Sequence, residues 1–354
     1  MANSPSAPSE APAPPSPFTG ENGTVRGDSS RRVTLEDIRQ PIEAELEDFR
    51  SYFREYMRSD VGLLDKVTQY VLRQKGKRIR PMLVLLSAKV CGGVSETSYR
   101  AAALVELLHT ATLVHDDVVD DAEERRSMFS INALWKNKIA VLLGDFLLSR
   151  GLLLSLDHQD YTILHALSDA VRRMSEGELL QIEKSRLLDI DEETYFQIIS
   201  DKTASLISAC TTSGALSATD DEAVIDRMRE MGEKLGLAFQ IRDDLFDFGS
   251  DDIGKPIGID LQEKKMTLPL IYALQETGWR ERRRIMKIVR KDQKSADDLR
   301  TVSDFVTERG GIAYARKQMN AFAKEARQLL MDAEPSEARS ALLDLVHFTV
   351  QRSR

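Results

Sequence analysis

Apolar residues recur at the three- and four-residue spacing of an α-helix along almost the whole chain from about Val33 onward. The stretch ALVELLHTATLVHDD at 103–117 is apolar on nearly all sides, which predicts a helix in the centre of a bundle. The sequence shows no convincing strand alternation with a period of two and no βαβ rhythm. The pattern therefore predicts an all-α fold.

The helical pattern divides into several long segments. Thr34 and Asp37 have the spacing of a capping box at the start of the first helix. Gly310 and Gly311 interrupt the longest segment, near its middle. The other predicted helical segments are 132–156, 159–183, 192–217, 221–248, 266–290, 295–333 and 335–351.

The composition fits a soluble globular protein with one large core. The chain has 354 residues, of which 42% are hydrophobic and 30% are charged. We expect a single all-α domain over 34–354. The segment 1–33 is rich in Pro, Ser and Ala, a composition typical of disordered tails. A formal net charge of −8 without a dominant basic face argues against binding to nucleic acid.

The sequence favours a cytoplasmic location. The N-terminus lacks the basic start and the apolar core of a signal peptide. The run IAVLLGDFLL at 139–148 is interrupted by Gly144 and Asp145, and it is shorter than the roughly 18–20 residues that span a bilayer. Cys91 and Cys210 are far apart and lack metal-ligand spacing, as expected for incidental thiols in a reducing compartment.

Two acidic clusters share the spacing Asp-Asp-x-x-Asp, and each follows an apolar helical stretch. Side chains at i and i+4 share one helix face, so each cluster is expected to present carboxylates in one direction. Like charges this close repel unless a cation lies among them. A solvated helix end explains one such cluster equally well, but two matching clusters favour Mg²⁺, a hard cation that prefers oxygen ligands. The clusters are Asp116, Asp117, Asp120 and Asp243, Asp244, Asp247.

Basic residues recur beside these clusters. GKRIRP at 76–81 places three of them just before a predicted helix start, and the others follow the acidic segments or lie between them. Any one of them is typical of a surface charge. Their repeated proximity to the acidic clusters predicts that they bind a diphosphate. They are Lys77, Arg78, Arg80, Arg125, Arg126, Lys202, Lys255, Lys264 and Lys265.

In these motifs the chain resembles the trans-type isoprenyl diphosphate synthases. The match runs in family order from about residue 35 to the end, through GKRIRP, HTATLVHDD, Arg125-Arg126, GDFLL, DKT, FQIRDDLFD and GKPIGIDLQEKKMTLP. Within the family it is most similar to bacterial long-chain enzymes that make quinone side chains. The resemblance implies an antiparallel helical bundle around a deep central cavity, and a homodimer.

The resemblance also implies the reaction. About three Mg²⁺ ions, held by the two aspartate clusters, would bind the diphosphate of an allylic substrate such as farnesyl or geranylgeranyl diphosphate. They would stabilise the charge that develops as diphosphate leaves. The double bond of isopentenyl diphosphate then attacks the allylic carbocation, and proton loss completes a five-carbon extension. Release of the product implies a transient membrane contact.

Family roles can be assigned to individual residues by this resemblance. Thr203 and Gln240 would lie near the carbocation, whereas His115 would be structural. His109 is open to a second interpretation as a buried core histidine. The allylic diphosphate would be bound by Arg125, Lys202, Lys255 and Lys265, and isopentenyl diphosphate by Lys77, Arg80, His109 and Arg126.

The chain departs from the family pattern at two places. The family usually has glycine and then proline soon after the arginine pair, where this chain has Ser127, Met128 and Phe129. We expect this difference to affect the loop after the first aspartate cluster. Lys264 also stands where glycine commonly precedes the lysine.

The product length can be argued from helix geometry. A side chain five positions before Asp116 lies roughly 7–8 Å below the aspartates, a depth at which short-chain family members carry an aromatic residue. Ala111 and Thr112 are small, which predicts a hexaprenyl to octaprenyl product. Alternatively, both are ordinary core residues and the product is geranylgeranyl diphosphate. The candidate chain-length residues are Leu108, Ala111, Thr112, Phe146 and Leu147.

Three other classes of protein share part of this pattern. A class I terpene cyclase shares the first cluster, but its second metal motif has a different composition and wider spacing. A non-catalytic partner subunit would be expected to carry a damaged cluster, and both clusters are intact. An HD-type phosphohydrolase could use His115 and Asp116, but the five histidines do not supply its other ligands.

Overall fold

The computed structural model describes residues 33–73, 76–125, 128–248 and 258–352. Residues 1–32, Arg126, Ser127 and Lys255 lie outside these ranges, so the predictions made for them stay predictions. The described residues belong to one compact unit that begins at Val33. The predicted domain boundary after residue 33 stays a prediction as well.

Helices make up nearly all of the described chain, which confirms the predicted all-α class. A 3-10 turn covers Gln40–Ile42, and a π-helical turn covers Ser200–Ala204. Two short strands, β1 (Glu124–Arg125) and β2 (Met128–Phe129), form an antiparallel pair that the sequence did not predict. The helices are α1 (Leu35–Arg39), α2 (Glu43–Tyr56), α3 (Gly62–Arg73), α4 (Ile79–Cys91), α5 (Glu96–Val119), α6 (Ile131–Asp157), α7 (Tyr161–Leu187), α8 (Glu192–Ile199), α9 (Ser205–Leu216), α10 (Glu222–Phe246), α11 (Ile259–Gln262), α12 (Leu268–Gln275), α13 (Trp279–Val289), α14 (Ala296–Glu308), α15 (Gly311–Met331) and α16 (Glu337–Gln351).

The predicted start of the first helix is confirmed. The Thr34 hydroxyl accepts a hydrogen bond from the Asp37 amide at 3.2 Å, and the Asp37 carboxylate accepts one from the Thr34 amide at 2.9 Å. These reciprocal bonds satisfy two amides that have no partner within the helix. Two predicted segments are subdivided: 266–290 contains α12 and α13, and 192–217 contains α8, the π-helical turn and α9.

Helix α5 lies at the centre of the fold, as its apolar pattern predicted. Residues 101–105 are all at most 1% exposed, so every face of this part of the helix is covered. Helices α2, α4, α6, α7 and α9 all contact α5. Burial of consecutive apolar side chains is the largest favourable contribution to folding here, and it fixes the helix that carries the first aspartate cluster.

Small residues bring the inner helices unusually close together. A Cβ atom at Gly214 of α9 would lie 2.3 Å from the Val84 carbonyl oxygen of α4. A Cβ atom at Gly236 of α10 would lie 2.5 Å from the Ala204 Cα in the π-helical turn. Contacts this short leave no room for a side chain. The glycines therefore set the spacing of α4, α9 and α10 around the central space.

Helix α6 confirms the predicted helical segment 132–156 and extends it by one residue at each end, with Gly144 and Asp145 inside the helix. The helix bends at Lys136, whose backbone is non-helical with φ 68° and ψ 160°. By length and composition α6 is apolar enough to cross a membrane, a test that long core helices of soluble proteins also pass. Only 39% of the most apolar 18-residue stretch of α6 is buried. Its exposed apolar residues are Leu134, Val141, Leu142, Leu152, Leu153 and Leu156.

We predict that Gly236→Ala lowers the free energy of unfolding by roughly 2–3 kcal/mol, since the new methyl group overlaps the backbone of the π-helical turn. Gly62→Ala at the start of α3 is the matched control, because its Cβ would have no atom within 4 Å. Urea unfolding of the two variants measures the difference. Equal stability of Gly236→Ala and the wild type would contradict the close contact.

Candidate active site

A cavity of about 670 Å³ lies among helices α4, α5, α7, α9, α10 and α16. Its wall includes Asp116 of the first acidic cluster and the basic residues Lys77, Arg80 and Lys202, of which the first and last are 125 positions apart (202 − 77). The structure thus brings eight of the predicted site residues to one place. They are Lys77, Arg80, His109, Thr112, Asp116, Lys202, Thr203 and Gln240.

Apolar residues make up most of the rest of the wall of this central cavity. Val171, Met174, Leu179 and Ile182 of α7 line it, although Ser175 and Glu178 of the same helix line it as well. Leu206 and Ile207 of α9 and Leu235 of α10 complete this part of the wall. The cavity therefore combines charged and apolar lining residues, as expected for an amphipathic ligand.

The three aspartates of the first cluster do not point in one direction. Asp116 lines the central cavity. Asp117 is only 3% exposed and lines a second, smaller cavity instead. Asp120 is the exposed C-cap of α5 and lines neither cavity. The expectation of a shared direction was therefore wrong for Asp117, because neighbouring helix residues are rotated by about 100° around the axis.

In the second cluster, Asp244 is held by two side chains. The Tyr195 hydroxyl donates to one carboxylate oxygen at 2.6 Å, and the Gln240 amide nitrogen donates to the other at 2.9 Å. Burial raises the pKa of the Asp244 carboxyl to about 7, although both hydrogen bonds oppose this shift. Sequence reasoning missed Tyr195, which lies on α8 without a motif of its own.

Gln240 joins Asp244 to Thr203. The Thr203 hydroxyl donates to the Gln240 amide oxygen at 2.8 Å, while the Gln240 amide nitrogen bonds Asp244. The result is one chain of hydrogen bonds from Thr203 through Gln240 and Asp244 to Tyr195. This chain fixes the Gln240 amide with its oxygen toward Thr203, which lines the cavity.

The other two aspartates of the second cluster have different partners. Asp243 forms an ion pair with the guanidinium of Arg352, which follows α16 and lines the central cavity. The Arg352 guanidinium also lies 4.0 Å from the centre of the Phe239 ring. Asp247 is buried and accepts a hydrogen bond from the Asp260 amide at 3.4 Å, and burial raises its pKa. Arg352 was not predicted as a site residue.

The π-helical turn presents Lys202 and Thr203 to the central cavity. Glycines on the two flanking helices allow this turn, since a Cβ at Gly177 would lie 3.0 Å from the Lys202 amide nitrogen. The Lys202 ammonium forms an ion pair with Glu178 at 2.5 Å and donates to the Gln181 side chain at 3.2 Å. Such turns often occur at functional sites because they displace side chains from helical positions.

Lys265 is placed apart from the predicted diphosphate ligands that line the central cavity. It lines an adjacent groove with Arg186, Lys264 and Arg290 rather than the central cavity. Burial acts to lower the pKa of Lys265, but its ion pairs, at 2.6 Å to Glu263 and 3.4 Å to Asp260, outweigh this and raise it.

Lys264 explains one departure from the family pattern. Its φ is 60°, in the left-handed region that glycine adopts without strain. Its ammonium group forms an ion pair with the exposed Asp292 at 2.5 Å. The family preference for glycine at this position therefore has a backbone cause.

Of the candidate chain-length residues, only Thr112 lines the described cavity. Leu108, Ala111 and Leu147 are core residues at 3%, 3% and 0% exposure. Leu108 packs toward α6, since a Cβ at Gly151 would lie 3.8 Å from its Cδ2 atom. Phe146 is half-buried against the same core. The alternative that the sequence left open, an ordinary core position, thus holds for Ala111 but not for Thr112.

The remaining predicted residues lie outside the central cavity or outside the described residues. The His115 ring lies between α5 and α6, with its Nε2 atom 3.3 Å from the Val141 carbonyl oxygen, so its structural role is supported. Phe129 in β2 is 56% exposed, and its carbonyl oxygen accepts a hydrogen bond from the Tyr70 hydroxyl at 2.8 Å. Arg125 belongs to β1, while Arg126 and Lys255 lie outside the described residues.

Comparison with known proteins identifies the family. Residues 61–306 match the family model of polyprenyl synthetase. The chain belongs to this family.

Similar proteins narrow the class of reaction. An all-trans-nonaprenyl-diphosphate synthase (geranyl-diphosphate specific) from Rhodobacter capsulatus is 36% identical, and the match covers 90% of this chain and 98% of the relative. Octaprenyl diphosphate synthase from Escherichia coli is 33% identical, with 91% and 100% covered. A crystal structure of polyprenyl synthase from Caulobacter crescentus complexed with calcium and isoprenyl diphosphate superposes with a TM-score of 0.81 at 31% identity, covering 91% and 99%.

This polyprenyl synthetase is therefore a prenyltransferase of isoprenoid biosynthesis, and its fold is the all-α fold of these synthases. The resemblance drawn from the motifs is confirmed at the level of the family, the fold and the enzyme class.

We predict that Asp244→Asn flattens the pH dependence of stability when no divalent metal is present. Folding raises the pKa of Asp244 from 3.8 to about 7, so between these values the folded state binds more protons than the unfolded state. The free energy of unfolding of the wild type should therefore fall as the pH rises from 4 to 7.5, with roughly 3 kcal/mol of this fall due to Asp244.

Urea unfolding at several pH values tests this expectation. Asp226→Asn, on the exposed side of α10, is the matched control and should follow the wild-type curve. If Asp244→Asn also follows the wild-type curve, the buried carboxyl is not the group that titrates.

Proposed function

We propose that this polyprenyl synthetase extends an allylic diphosphate with isopentenyl diphosphate to an all-trans product of about six to eight isoprene units. The observation that carries the proposal is the central cavity, whose wall combines the charged Asp116, Lys77 and Lys202 with apolar residues of α7, α9 and α10. The diphosphate belongs in the charged region, and the growing hydrocarbon belongs against the apolar wall. Relatives named for octaprenyl and nonaprenyl products support the long product.

We infer that the aspartate clusters hold Mg²⁺, and the donor set fits this ion. Asp116 and Asp243 provide hard oxygen ligands, and the Arg352 guanidinium already occupies a cation position beside Asp243. Among the described residues, no three Asp, Glu, His or Cys side chains converge into a preformed site. Mg²⁺ does not need one, because it keeps several waters and takes substrate phosphate oxygens as ligands. When bound, Mg²⁺ stabilises the charge on the leaving diphosphate.

The basic residues divide between the two substrates in this proposal. Lys202 is released from Glu178 to bind the allylic diphosphate, together with Arg125, Lys255 and Lys265. Lys77, Arg80, His109 and Arg126 bind isopentenyl diphosphate. Lys77, Arg80 and His109 line the same cavity as Lys202, which supports the two diphosphates meeting there.

Thr203 and Gln240 are proposed to stabilise the allylic carbocation. The Gln240 amide is fixed with its oxygen away from Asp244, so that oxygen and the Thr203 hydroxyl oxygen form a pair of dipoles at the cavity wall. Preorganised dipoles of this kind stabilise a developing positive charge without moving. The condensation needs no side chain as a nucleophile, because the double bond of isopentenyl diphosphate attacks the carbocation.

An extension assay tests the proposed function. Purified protein, Mg²⁺, radiolabelled isopentenyl diphosphate and farnesyl diphosphate are combined, and the dephosphorylated products are separated by length. We expect a ladder ending at six to eight isoprene units. Asp243→Asn should reduce kcat by roughly 10²–10³-fold, as removal of a transition-state charge partner does. Asp226→Asn on the same helix should retain wild-type activity.

A ladder that stops at geranylgeranyl diphosphate would refute the product length but not the reaction. No extension with farnesyl, geranyl or geranylgeranyl diphosphate would refute the proposed substrates. Full activity of Asp243→Asn would refute the role of the second cluster.

We predict that Thr112→Phe shortens the product, because Thr112 faces the central cavity and the larger ring blocks the path of the growing chain. Thin-layer separation of the products measures the shift. Thr307→Phe, on the exposed face of α14, controls for a general effect of the larger side chain. An unchanged ladder from Thr112→Phe would show that the chain takes another path.

We propose that the enzyme is a homodimer that buries the exposed apolar residues of α6. Contiguous apolar surface of this kind is typical of an interface between protein chains. Leu142→Glu, at a residue 54% exposed, should convert the dimer to a monomer in light scattering. Leu63→Glu, at a leucine 49% exposed on α3, should leave the mass unchanged. A monomeric wild type would contradict the proposal.

We also propose a cytoplasmic location, with membrane contact limited to release of the product. The thiols of Cys91 and Cys210 are both free, as is usual for proteins of reducing compartments.

A further inference from the structure

Helix α13 concentrates positive charge on its outer face. Its inner side is formed by the buried residues Ile285, Met286 and Val289. On the opposite side, basic residues recur at the three- and four-residue spacing of a single helix face. Residues 280–291 contain seven basic residues and one acidic residue, although the whole chain has a net charge of −8. The basic residues of this outer face are all exposed, and they are Arg280, Arg283, Arg284, Lys287, Arg290 and Lys291.

This concentration of charge does not stabilise the helix itself. The N-terminus of a helix carries a partial positive charge, so Arg280 and Arg282 in the first turn are unfavourable there. Positive charges three and four residues apart also repel one another along the outer face. A face that contacts only solvent usually carries charges of both signs. The basic face is therefore better explained by an anionic partner than by folding.

Neighbouring carboxylates neutralise only part of this face. Glu281 forms ion pairs with Arg309 and, at 3.6 Å, with Arg284. Asp298 forms an ion pair with Lys291 at 2.7 Å. Within the part of the chain that the structure describes, the ion pairs of this region do not include four basic residues of the outer face. These are Arg280, Arg283, Lys287 and Arg290.

An exposed tryptophan stands at the start of the same helix. Trp279 is 69% exposed, and the Arg280 guanidinium lies 5.4 Å from the centre of its ring. Tryptophan has a large apolar surface and one polar N–H group, which suits it to the boundary between lipid and water. A helix with a basic face and a tryptophan beside it is typical of a helix that lies on a membrane surface.

The basic surface continues to the edge of the catalytic cavity. Arg290, directly after α13, lines the groove that contains Lys265. Glu263 also lines this groove, but it is paired with Lys265 at 2.6 Å. Ile182 lines both the groove and the central cavity. The C-terminal end of the basic face is thus connected to the cavity in which the product is proposed to form.

We propose that the outer face of α13 docks the enzyme on the surface of an anionic lipid bilayer. Arg280, Arg283 and Lys287 lie against the lipid phosphates, and Trp279 enters the headgroup layer. Because the chain as a whole is acidic, an anionic surface attracts this face and repels most of the rest. A bilayer also takes up a product of about six to eight isoprene units, which water does not dissolve. Only this last argument rests on the proposed function, whose membrane contact it assigns to α13.

Sedimentation with lipid vesicles tests the docking surface without any substrate. The full-length protein is mixed with vesicles of phosphatidylcholine, with or without phosphatidylglycerol. We expect binding only to the anionic vesicles, and weaker binding as the salt concentration rises. Arg283→Glu combined with Lys287→Glu should lower the partition coefficient roughly tenfold or more. Arg316→Glu combined with Lys324→Glu, two exposed positions on α15, makes the same change in net charge and should bind as the wild type does.

Fluorescence tests the position of Trp279. The chain has two tryptophans, and the ring of the other, Trp135, packs against Tyr70 with 5.1 Å between the ring centres. Trp135→Phe leaves Trp279 as the single tryptophan, and circular dichroism checks that this variant folds. Its emission should shift to shorter wavelength when anionic vesicles are added, because the ring leaves water. Binding without such a shift would refute the entry of Trp279 into the headgroup layer.

Two results would overturn the docking surface. One is equal binding of anionic vesicles by the wild type and by the variant with both Arg283→Glu and Lys287→Glu, or no binding by either. The other is tighter binding of single-stranded DNA than of anionic vesicles at the same salt concentration, lost in the same variant, which would assign the face to a nucleic acid.

The docking surface and the proposed function can fail separately. A wild type that binds anionic vesicles through α13 but extends no allylic primer refutes the proposed function and leaves the docking surface intact. A wild type that extends normally but does not bind anionic vesicles refutes only the docking surface.

Discussion

Several carboxylates at the edge of an apolar cavity require compensation, and this constraint governs the whole site. A carboxylate that leaves water without a partner is costly, so each one is balanced in its own way. Asp243 pairs with Arg352, Glu178 pairs with Lys202, and Asp244 is bonded by Tyr195 and Gln240. These partners come from helices α8 and α10, the π-helical turn and the residue after α16. The need for compensation thus ties distant parts of the chain to one place.

Close packing of small residues gives the central cavity its shape. Gly177 and Gly236 allow the flanking helices to approach the π-helical turn, which carries Lys202 and Thr203. A regular α-helix through this segment would direct those side chains differently, since a residue added to one turn rotates the rest of the helix about its axis. The chemistry at the cavity wall therefore depends on two residues that have no side chains.

The sequence predicted the features that depend on local patterns. The period of apolar residues identified α5 and α10, and the spacing of aspartates marked both clusters, because periodicity and spacing are properties of neighbouring residues. It could not reveal Arg352, since Asp243 lies 109 positions earlier and only tertiary packing joins them. The direction of Asp117 and the core position of Leu147 were also missed. Those depend on how α6 packs against α5, which helix periodicity does not encode.

Lys264 links the folded structure to the chain before it folds. Its left-handed backbone costs energy in the folded state that a glycine would avoid. A lysine, however, restricts the backbone of the unfolded ensemble more than a glycine does, so less conformational entropy is lost when this segment becomes ordered. The two effects oppose each other. A bulky residue is therefore tolerated at this left-handed position. The long side chain of Lys264 also places a positive charge beside the groove that contains Lys265.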